Sequence, residues 1–128
     1  MRRYSRGFTL IELLVVVAII GILSAVGVVS YSGYKESAEK KQAEIALNSI
    51  YLAEQEYKSN NGEYYFNSST SNLVNNLFDG VDDLSEQTFT FSTTNANTLT
   101  ITATKKSDSN CRISITQTNK KPNTSSAC

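Results

Sequence analysis

Apolar and polar residues divide the chain into a hydrophobic N-terminal part and a mixed remainder. The stretch from Phe8 to Tyr31 is apolar almost throughout and contains one ionisable residue, Glu12. A helix of this stretch is about 36 Å long, which is enough to span a bilayer with some tilt. Residues 1–7 form a short basic leader before it. Because the basic residues stand on the N-terminal side, we expect the leader in the cytoplasm and the rest of the chain exported.

A helical pattern continues beyond the apolar stretch. Residues 35–58 are good helix formers without Pro or Gly, and Asn60, Asn61 and Gly62 end the pattern. This amphipathic helix carries one broad apolar stripe, wide enough to hold a sheet. The stripe consists of Ala43, Ala46, Leu47, Ile50, Ala53 and Tyr57.

A second, narrower stripe recurs every seven residues on nearly the opposite face of the same helix. It consists of Ala38, Ile45 and Leu52. Single exposed apolar residues are common on protein surfaces and carry no meaning by themselves. A seven-residue recurrence is typical of a seam against other helices, and a membrane anchor alone does not explain it. We therefore predict that these three residues contact neighbouring subunits.

The remainder of the chain reads as a polar loop followed by strands. Residues 59–85 are polar, with a short helix predicted at 73–78 after a cap at Ser71 or Asn72. Three segments then alternate apolar and polar residues with period two, at 88–92, 98–103 and 112–116. Short turns between them predict an antiparallel meander within 86–117, with its apolar face on the broad helix stripe.

These elements predict an α+β fold. A long N-terminal helix, transmembrane in its inner half and amphipathic in its outer half, packs on a small antiparallel sheet of about three to four strands. The chain has 128 residues, so about 100 remain for one small domain once the apolar stretch is set aside.

Composition narrows the chemistry that the chain can perform. The chain contains no His, which removes the commonest general acid or base and the commonest nitrogen ligand of metals. A Ser or Cys nucleophile would lack its usual base, so we predict no enzyme activity, no cofactor and no metal. Basic and acidic residues number 12 each, and Arg2, Arg3 and Arg6 of the leader supply three of the basic ones. The remainder is net acidic, unlike a strongly basic nucleic-acid binder.

Two cysteines, Cys111 and Cys128, complete the candidate chemistry. An even pair in an exported chain indicates one disulfide in an oxidising compartment, and two unpaired thiols are the alternative. A bridge would bound the segment 111–128 and tie down its polar tail. A dithiol redox motif is excluded because the spacing is not C-x-x-C.

Two charged clusters are candidate ligand sites. Asp79, Asp82 and Asp83 could hold a hard cation such as calcium, but their spacing matches no known calcium loop and favours a solvated acidic turn. Lys105–Lys106 and Lys120–Lys121 could form a basic patch for DNA. No aromatic residues interleave these lysines, which favours plain surface lysines that discourage aggregation.

The N-terminal residues RGFTLIELLVVVAIIG resemble the class III signal of type IV pilins and their relatives. The resemblance covers about the first 30 residues and implies cleavage after Gly7, N-methylation of the new terminus Phe8, and an assembly role for Glu12. In the family this glutamate neutralises the terminal amine of a neighbouring subunit. Glu12 lies one turn from Phe8, on the same helix face, which suits that pairing.

Further residues match the family pattern, and one departs from it. Gly21 matches a helix glycine of the family, and Tyr31 and Tyr34 match its aromatic pair after the membrane span. Many members have a proline near the end of the apolar run, which permits local melting of the helix, where this chain has Val29. Only Gly27, Ser30 and Gly33 remain to weaken the helix there. The resemblance also implies that 59–85 is the αβ-loop and that 111–128 is the disulfide-bounded C-terminal region.

The predicted domain organisation follows from these segments. Residues 1–7 are a leader that is removed, residues 8–34 form the transmembrane and filament-core helix, and residues 35–128 form the exported head. The resemblance implies a prepilin peptidase and methyltransferase, an inner-membrane assembly platform and an ATPase as partners. It also implies a single-pass inner-membrane protein with a cytoplasmic N-terminus, which becomes part of a homomeric or mixed filament at the cell surface.

The predicted function is that of a major or minor subunit of a type IV pilus. Two alternatives stay open, a pseudopilin of a type II secretion system and a DNA-binding minor pilin for competence. Major pseudopilins usually lack a cysteine pair, which favours the pilus. Adhesion, twitching motility and DNA uptake share this architecture, so the sequence does not choose among them.

Overall fold

The structure is a computed structural model that describes residues 6–81, 84–95 and 98–128. The chain consists of two compact units, one up to Ser37 and the other from Ala38 to Cys128. The first helix, α1 (Leu10–Asn61), begins in the first unit and ends in the second. It is uninterrupted, because Gly27, Ser30 and Gly33 all keep helical geometry.

The first unit contains the apolar part of α1. Every residue from Arg6 to Ser37 is exposed within the single chain, including the large side chains of Ile11, Leu23 and Val29. This stretch is long and apolar enough to cross a membrane. So much exposed apolar surface is unfavourable in water, so a bilayer or other protein chains must cover it.

The far end of α1 has a glycine stop. Gly62 has a φ of 86°, and its N–H donates to the carbonyl of Lys58 at 2.7 Å. This left-handed cap is the usual way in which a helix satisfies its last carbonyl groups. The helix therefore ends three residues later than the predicted end at Lys58.

The second unit packs the amphipathic part of α1 with a four-stranded sheet. The strands are β1 (Phe89–Asn95), β2 (Leu99–Lys105), β3 (Asp108–Thr116) and β4 (Asn123–Thr124). They lie in the order β1-β2-β3-β4, each antiparallel to its neighbour. The α+β fold and the meander predicted from period-two alternation are confirmed.

One hydrophobic core joins the broad helix stripe to the inner face of the sheet. From α1 it takes Ala43, Ala46, Leu47 and Ile50, and from the strands it takes Phe89, Phe91, Leu99, Ile101, Ala103, Ile113 and Ile115. Ala53 and Tyr57 of the predicted stripe are partly buried. Burial of this face is the main source of stability for the unit, at roughly 25 cal/mol for each Å² removed from water.

The loop between α1 and β1 contains a second helix, α2 (Thr70–Leu77), which buries Leu73 and Val74. It begins earlier than the predicted 73–78, and Ser69 occupies the N-cap position without a side-chain capping bond. The hydroxyl of Thr70 bonds to the backbone of Phe91 instead, accepting from the N–H at 2.8 Å. Tertiary contact with β1 therefore sets the start of α2, which local capping rules did not anticipate.

The outer face of the sheet is lined with hydroxyl groups. The strand register places Ser92 opposite Thr102 and Thr102 opposite Ser114, and Thr94 opposite Thr100 in the same way. These side chains alternate with the buried apolar residues, as the sequence pattern predicted. No residue range was predicted for the short β4, because a two-residue strand has no periodicity. This strand is defined only by its pairing with β3.

Candidate assembly site

The candidate site at the start of α1 is built by a reciprocal pair of hydrogen bonds. The backbone N–H of Thr9 donates to Glu12 Oε2 at 2.8 Å, and the N–H of Glu12 lies 3.4 Å from Thr9 Oγ1. A Thr followed three residues later by a Glu forms a capping box, in which each side chain satisfies a backbone donor that the helix leaves unpaired. Glu12 thus has a local role in fixing the helix start.

Gly7 and Phe8 directly precede this capping box. Both are exposed, and the Phe8 side chain is 88% exposed. An exposed segment before a helix is accessible to a processing enzyme. Residues 1–5 of the predicted leader lie outside the described part of the chain.

The sequence reasoning singled out Glu12 for its i+4 relation to Phe8 and missed its bond to Thr9. The signal was present, since T-x-x-E before an apolar run is a known helix-start signature. The two roles are compatible because a carboxylate has two oxygens and about four acceptor positions. Oε2 binds the Thr9 N–H, which leaves acceptor capacity for a cation from another chain.

The narrow stripe on the outer half of α1 is exposed. Ile45 is 66% exposed, Leu52 is 67% exposed, and Ala38 is also exposed. The sheet and loops of the same unit cover the opposite face of this helix segment. The three residues therefore remain available for contact with another chain, and their role in a filament stays a prediction.

Cys111 and Cys128 are joined by a disulfide. Cys111 is fully buried in the core, and Cys128 packs against the core from the polar tail. The Nζ of Lys40 on α1 also donates to the carbonyl oxygen of Cys128. The tail is thus held both to the sheet and to the amphipathic part of α1.

Sequence reasoning missed one buried ionisable residue, Glu54. It lies four residues after Ile50 and seven after Leu47, so it falls on the broad buried stripe of α1. The sequence signal for its burial was a carboxylate at a position of the otherwise apolar stripe. Its Oε2 accepts a hydrogen bond from the Tyr65 N–H, which connects α1 to the αβ-loop.

Two of the four candidate lysines for DNA binding, Lys106 and Lys120, contact other parts of the chain. Lys106 Nζ donates to the carbonyl of Ser85 at 2.9 Å, and Lys120 Nζ lies 4.8 Å from the centre of the Tyr51 ring. Lys105 is partly buried. These contacts suit surface lysines that pin loops, and nucleic-acid binding stays an untested alternative.

The acidic turn is described only in part. Asp79 has a φ of 51° and Gly80 a φ of 77°, whereas Asp82 and Asp83 lie outside the described residues. Within the described ranges, no three Asp, Glu, Cys or His residues are grouped so that they could hold a metal ion.

Known proteins resemble part of the chain. A family described as "Prokaryotic N-terminal methylation motif" matches residues 2–28. A fimbrial protein of Neisseria meningitidis is 36% identical over 74 residues, which cover 58% of this chain and 44% of that protein. The type IV major pilin protein PilA of Myxococcus xanthus is 38% identical over 60 residues, or 47% of this chain and 27% of that protein.

A secretion protein also matches about half of the chain. The type II secretion system core protein G of Dickeya chrysanthemi is 38% identical over 64 residues, which cover 50% of this chain and 42% of that protein. The chain thus spans less than half the length of these three relatives. No solved structure gives a significant match.

These findings agree with the geometry of the site. The methylation motif covers Gly7, Phe8 and the Thr9–Glu12 capping box, and the α+β arrangement of one long apolar helix and a small antiparallel sheet is that of the pilin fold. The relatives are structural proteins, which fits the prediction of a chain without catalytic activity. The chain therefore has the prokaryotic N-terminal methylation motif and is similar over part of its length to type IV pilins and to a type II secretion core protein.

Proposed function

We propose that the chain is a structural subunit of a type IV pilus. The observation that carries this proposal is the exposed apolar part of α1, which begins with a capping box inside the methylation motif. A membrane covers this surface before assembly, and the apolar helices of neighbouring subunits cover it afterwards. The fimbrial and pilin relatives support the same reading.

Processing creates the partner that Glu12 needs. Cleavage after Gly7 by a prepilin peptidase would leave Phe8 with a free amine, which the same enzyme would methylate. This cation must be paired when it enters a dry filament core, because an unpaired buried charge costs several kcal/mol. Glu12 of a neighbouring subunit supplies the opposite charge, while its Oε2 still accepts the Thr9 N–H.

The outer half of α1 adds a second contact surface. Ala38, Ile45 and Leu52 face away from the head core and would pack against the helices of neighbouring subunits. Before assembly the subunit would lie in the inner membrane with its N-terminus in the cytoplasm and its head exported. An ATPase and a membrane platform would drive its extraction into a homomeric or mixed filament at the cell surface.

Mass spectrometry of sheared surface filaments tests this proposal. We expect abundant peptides that begin with N-methylated Phe8 and contain a disulfide between Cys111 and Cys128. A deletion strain supplies the background control. Absence of the chain from surface filaments would contradict the proposal, provided that it is present in the membrane fraction.

The second candidate is a pseudopilin of a type II secretion system. The match to core protein G of Dickeya chrysanthemi favours this alternative, since its identity is similar to that of the pilin relatives. A pseudopilin would be N-methylated in the same way but would stay within the cell envelope. Loss of protein secretion on deletion, without loss of surface filaments, would select it.

A further inference from the structure

The buried carboxyl group of Glu54 lies against the segment that follows α1, residues 62–69, which forms neither helix nor strand. Glu54 Oε2 accepts the Tyr65 N–H at 2.8 Å, and Oε1 is buried without a hydrogen-bond partner among the described residues. The Tyr65 ring packs on Tyr57, one turn along α1, with the ring centres 5.5 Å apart. Tyr65 therefore covers this part of α1 with both its backbone and its ring.

The same segment is fastened to β1 by Thr93, which is buried. Thr93 Oγ1 donates to the Tyr65 carbonyl at 2.9 Å and accepts the Asn67 N–H at 3.0 Å. The Thr93 N–H donates to the Asn67 carbonyl at 2.9 Å. Hydrogen bonds between neutral groups contribute little net stability, because water offers the same bonds to the open segment. The segment can therefore open locally while α1 and the sheet stay folded.

We propose that Glu54 is a pH-sensitive latch on segment 62–69: its neutral carboxyl keeps the segment closed over α1, and ionisation of the carboxyl opens it. A neutral carboxyl costs less in a dry site than a carboxylate, which needs donors at both oxygens. Water supplies those donors once Tyr65 moves away from Oε1. The inference concerns the head alone and goes beyond the proposed role of the chain in a filament.

Two lysines flank Glu54, and both lie over aromatic rings. Lys58 follows Glu54 by one turn of α1, and its Nζ lies 4.4 Å from the centre of the Tyr64 ring. Lys120, which follows β3, has its Nζ 4.8 Å from the ring of Tyr51, one turn before Glu54. Because Glu54 and Lys58 are four residues apart, an ionised carboxylate attracts Lys58 away from Tyr64, which loosens the segment further.

The other ionisable groups around the site do not oppose this assignment. Strand β1 and helix α2 contain no ionisable residue. The charged residues of β2 and β3 lie at the end of the sheet away from Thr93; they are Lys105, Asp108 and Arg112. The exposed charges nearby along the chain are Glu56, Glu63 and Lys121. Glu54 is therefore the buried acid whose ionisation acts on the segment.

The direction of the pH effect follows from linkage. Burial raises the pKa of Glu54 to about 7 in the closed state, although the Tyr65 hydrogen bond opposes this. In the open state the hydrated carboxyl regains the ordinary pKa of 4.5. The closed state binds more protons between these values, so closure is favoured at low pH and is lost as pH rises towards 7. Each unit between the two pKa values is a factor of ten in the opening constant, which should rise on the order of 100-fold from pH 5 to 8.

Hydrogen exchange in the full chain, held in detergent micelles, tests the latch once rates are corrected for the intrinsic pH dependence of exchange. Between pH 5 and 8, protection of the Tyr65 and Asn67 amides should fall on the order of 100-fold in the native chain. Glu54→Gln keeps an acceptor for the Tyr65 N–H and has no charge, so protection should stay high and constant. Glu56→Gln is the matched control and should behave as the native chain, because Glu56 is exposed.

An amide of the central strand β2 distinguishes local opening from unfolding of the whole head. Denaturant should speed exchange of the Ile101 amide strongly and that of Tyr65 only weakly, because opening of the segment exposes little surface. Equal protection of Tyr65 and Ile101, or pH-independent protection of Tyr65, would overturn the proposal with the native chain alone. A pH dependence that persists in Glu54→Gln would also contradict it.

Discussion

The carboxylate of Glu54 accepts a hydrogen bond from the Tyr65 backbone N–H at 2.8 Å, inside a side-chain environment that excludes solvent. The other oxygen, Oε1, is buried and has no hydrogen-bond partner among the residues that the structure describes. Burial raises the pKa of Glu54 to about 7, against the opposing effect of the Tyr65 hydrogen bond. The head therefore holds a carboxyl group that is largely protonated in mildly acidic conditions.

Glu54→Gln should change the pH dependence of stability. Because the folded-state pKa lies above the unfolded value of 4.5, the folded chain binds more protons between the two values. Stability of the native protein should therefore fall as pH rises from about 4.5 to 7, by up to about 3 kcal/mol, and then level off. Glu54→Gln should remove this slope, and denaturant unfolding from pH 4.5 to 8.5 measures it.

The exposed neighbour Glu56 supplies a matched control for this measurement. Glu56→Gln should retain the slope, because its side chain is exposed on the outer face of α1. A slope that persists in Glu54→Gln would show that another group causes it.

Variants at the helix start separate the two roles of Glu12. Glu12→Gln can still cap the helix, since Gln serves at this position of a capping box, but it has no charge for a neighbouring amine. Thr9→Val loses the capping hydroxyl and keeps the charge. Filament yield should fall strongly in Glu12→Gln and Glu12→Val and only modestly in Thr9→Val.

Quantitative blotting of sheared filaments against the membrane pool measures these yields. Cleavage of the leader in each variant is the control for correct insertion and processing. Normal filament yield in Glu12→Gln would contradict the charge-pair role and leave Glu12 as a helix cap.

Charged substitutions on the narrow stripe should block assembly without unfolding the head. Ile45→Lys and Leu52→Lys replace side chains that are about two-thirds exposed, so the free energy of unfolding should change by less than about 0.5 kcal/mol. Filament yield should nevertheless fall. Thr94→Lys on the exposed face of the sheet is the control and should leave both unchanged. Unaltered filaments in both stripe variants would remove these residues from the interface.

Loss of the disulfide should destabilise the head. Cys128→Ser removes a disulfide whose two cysteines are 17 positions apart. A bridge of this span stabilises the folded state by about 3 kcal/mol in the chain-entropy model, so the free energy of unfolding should fall by about that amount. Denaturant unfolding measures the change, and Ala127→Ser provides an adjacent control of similar polarity. Titration with a thiol reagent should find one free thiol in Cys128→Ser and none in the native chain, and two thiols in the native chain would contradict the bridge.

The regular elements of this protein were predictable because they follow local periodicity. Phe89, Leu99 and Ile113 each begin a period-two pattern that the sheet preserves, and Leu47 and Ile50 mark the helix stripe that covers it. The methylation motif was equally recognisable, because its residues lie close together between positions 2 and 28.

The parts that escaped sequence reasoning depend on contacts between distant residues. Helix α2 begins at Thr70 because the Thr70 hydroxyl accepts a hydrogen bond from the backbone of β1. Strand β4 forms because Asn123 pairs with β3. Burial of Glu54 depends on how the αβ-loop folds over α1, which helix periodicity alone does not reveal. In each case the contact joins two different elements of the chain, and no local sequence pattern indicates it.

Both edges of the sheet are covered within the chain, since the Thr70 hydroxyl binds the backbone of β1 and the short strand β4 pairs with β3. In the pilus proposed above, such a head would add little backbone pairing between subunits, so polymerisation would depend on α1. The hydroxyl-lined face, with Ser92, Thr102 and Ser114 at its middle, would then take no part in the contacts that build the filament. Substitutions on that face would be free to follow whatever touches the outside of the cell, while the polymer beneath keeps the same symmetry.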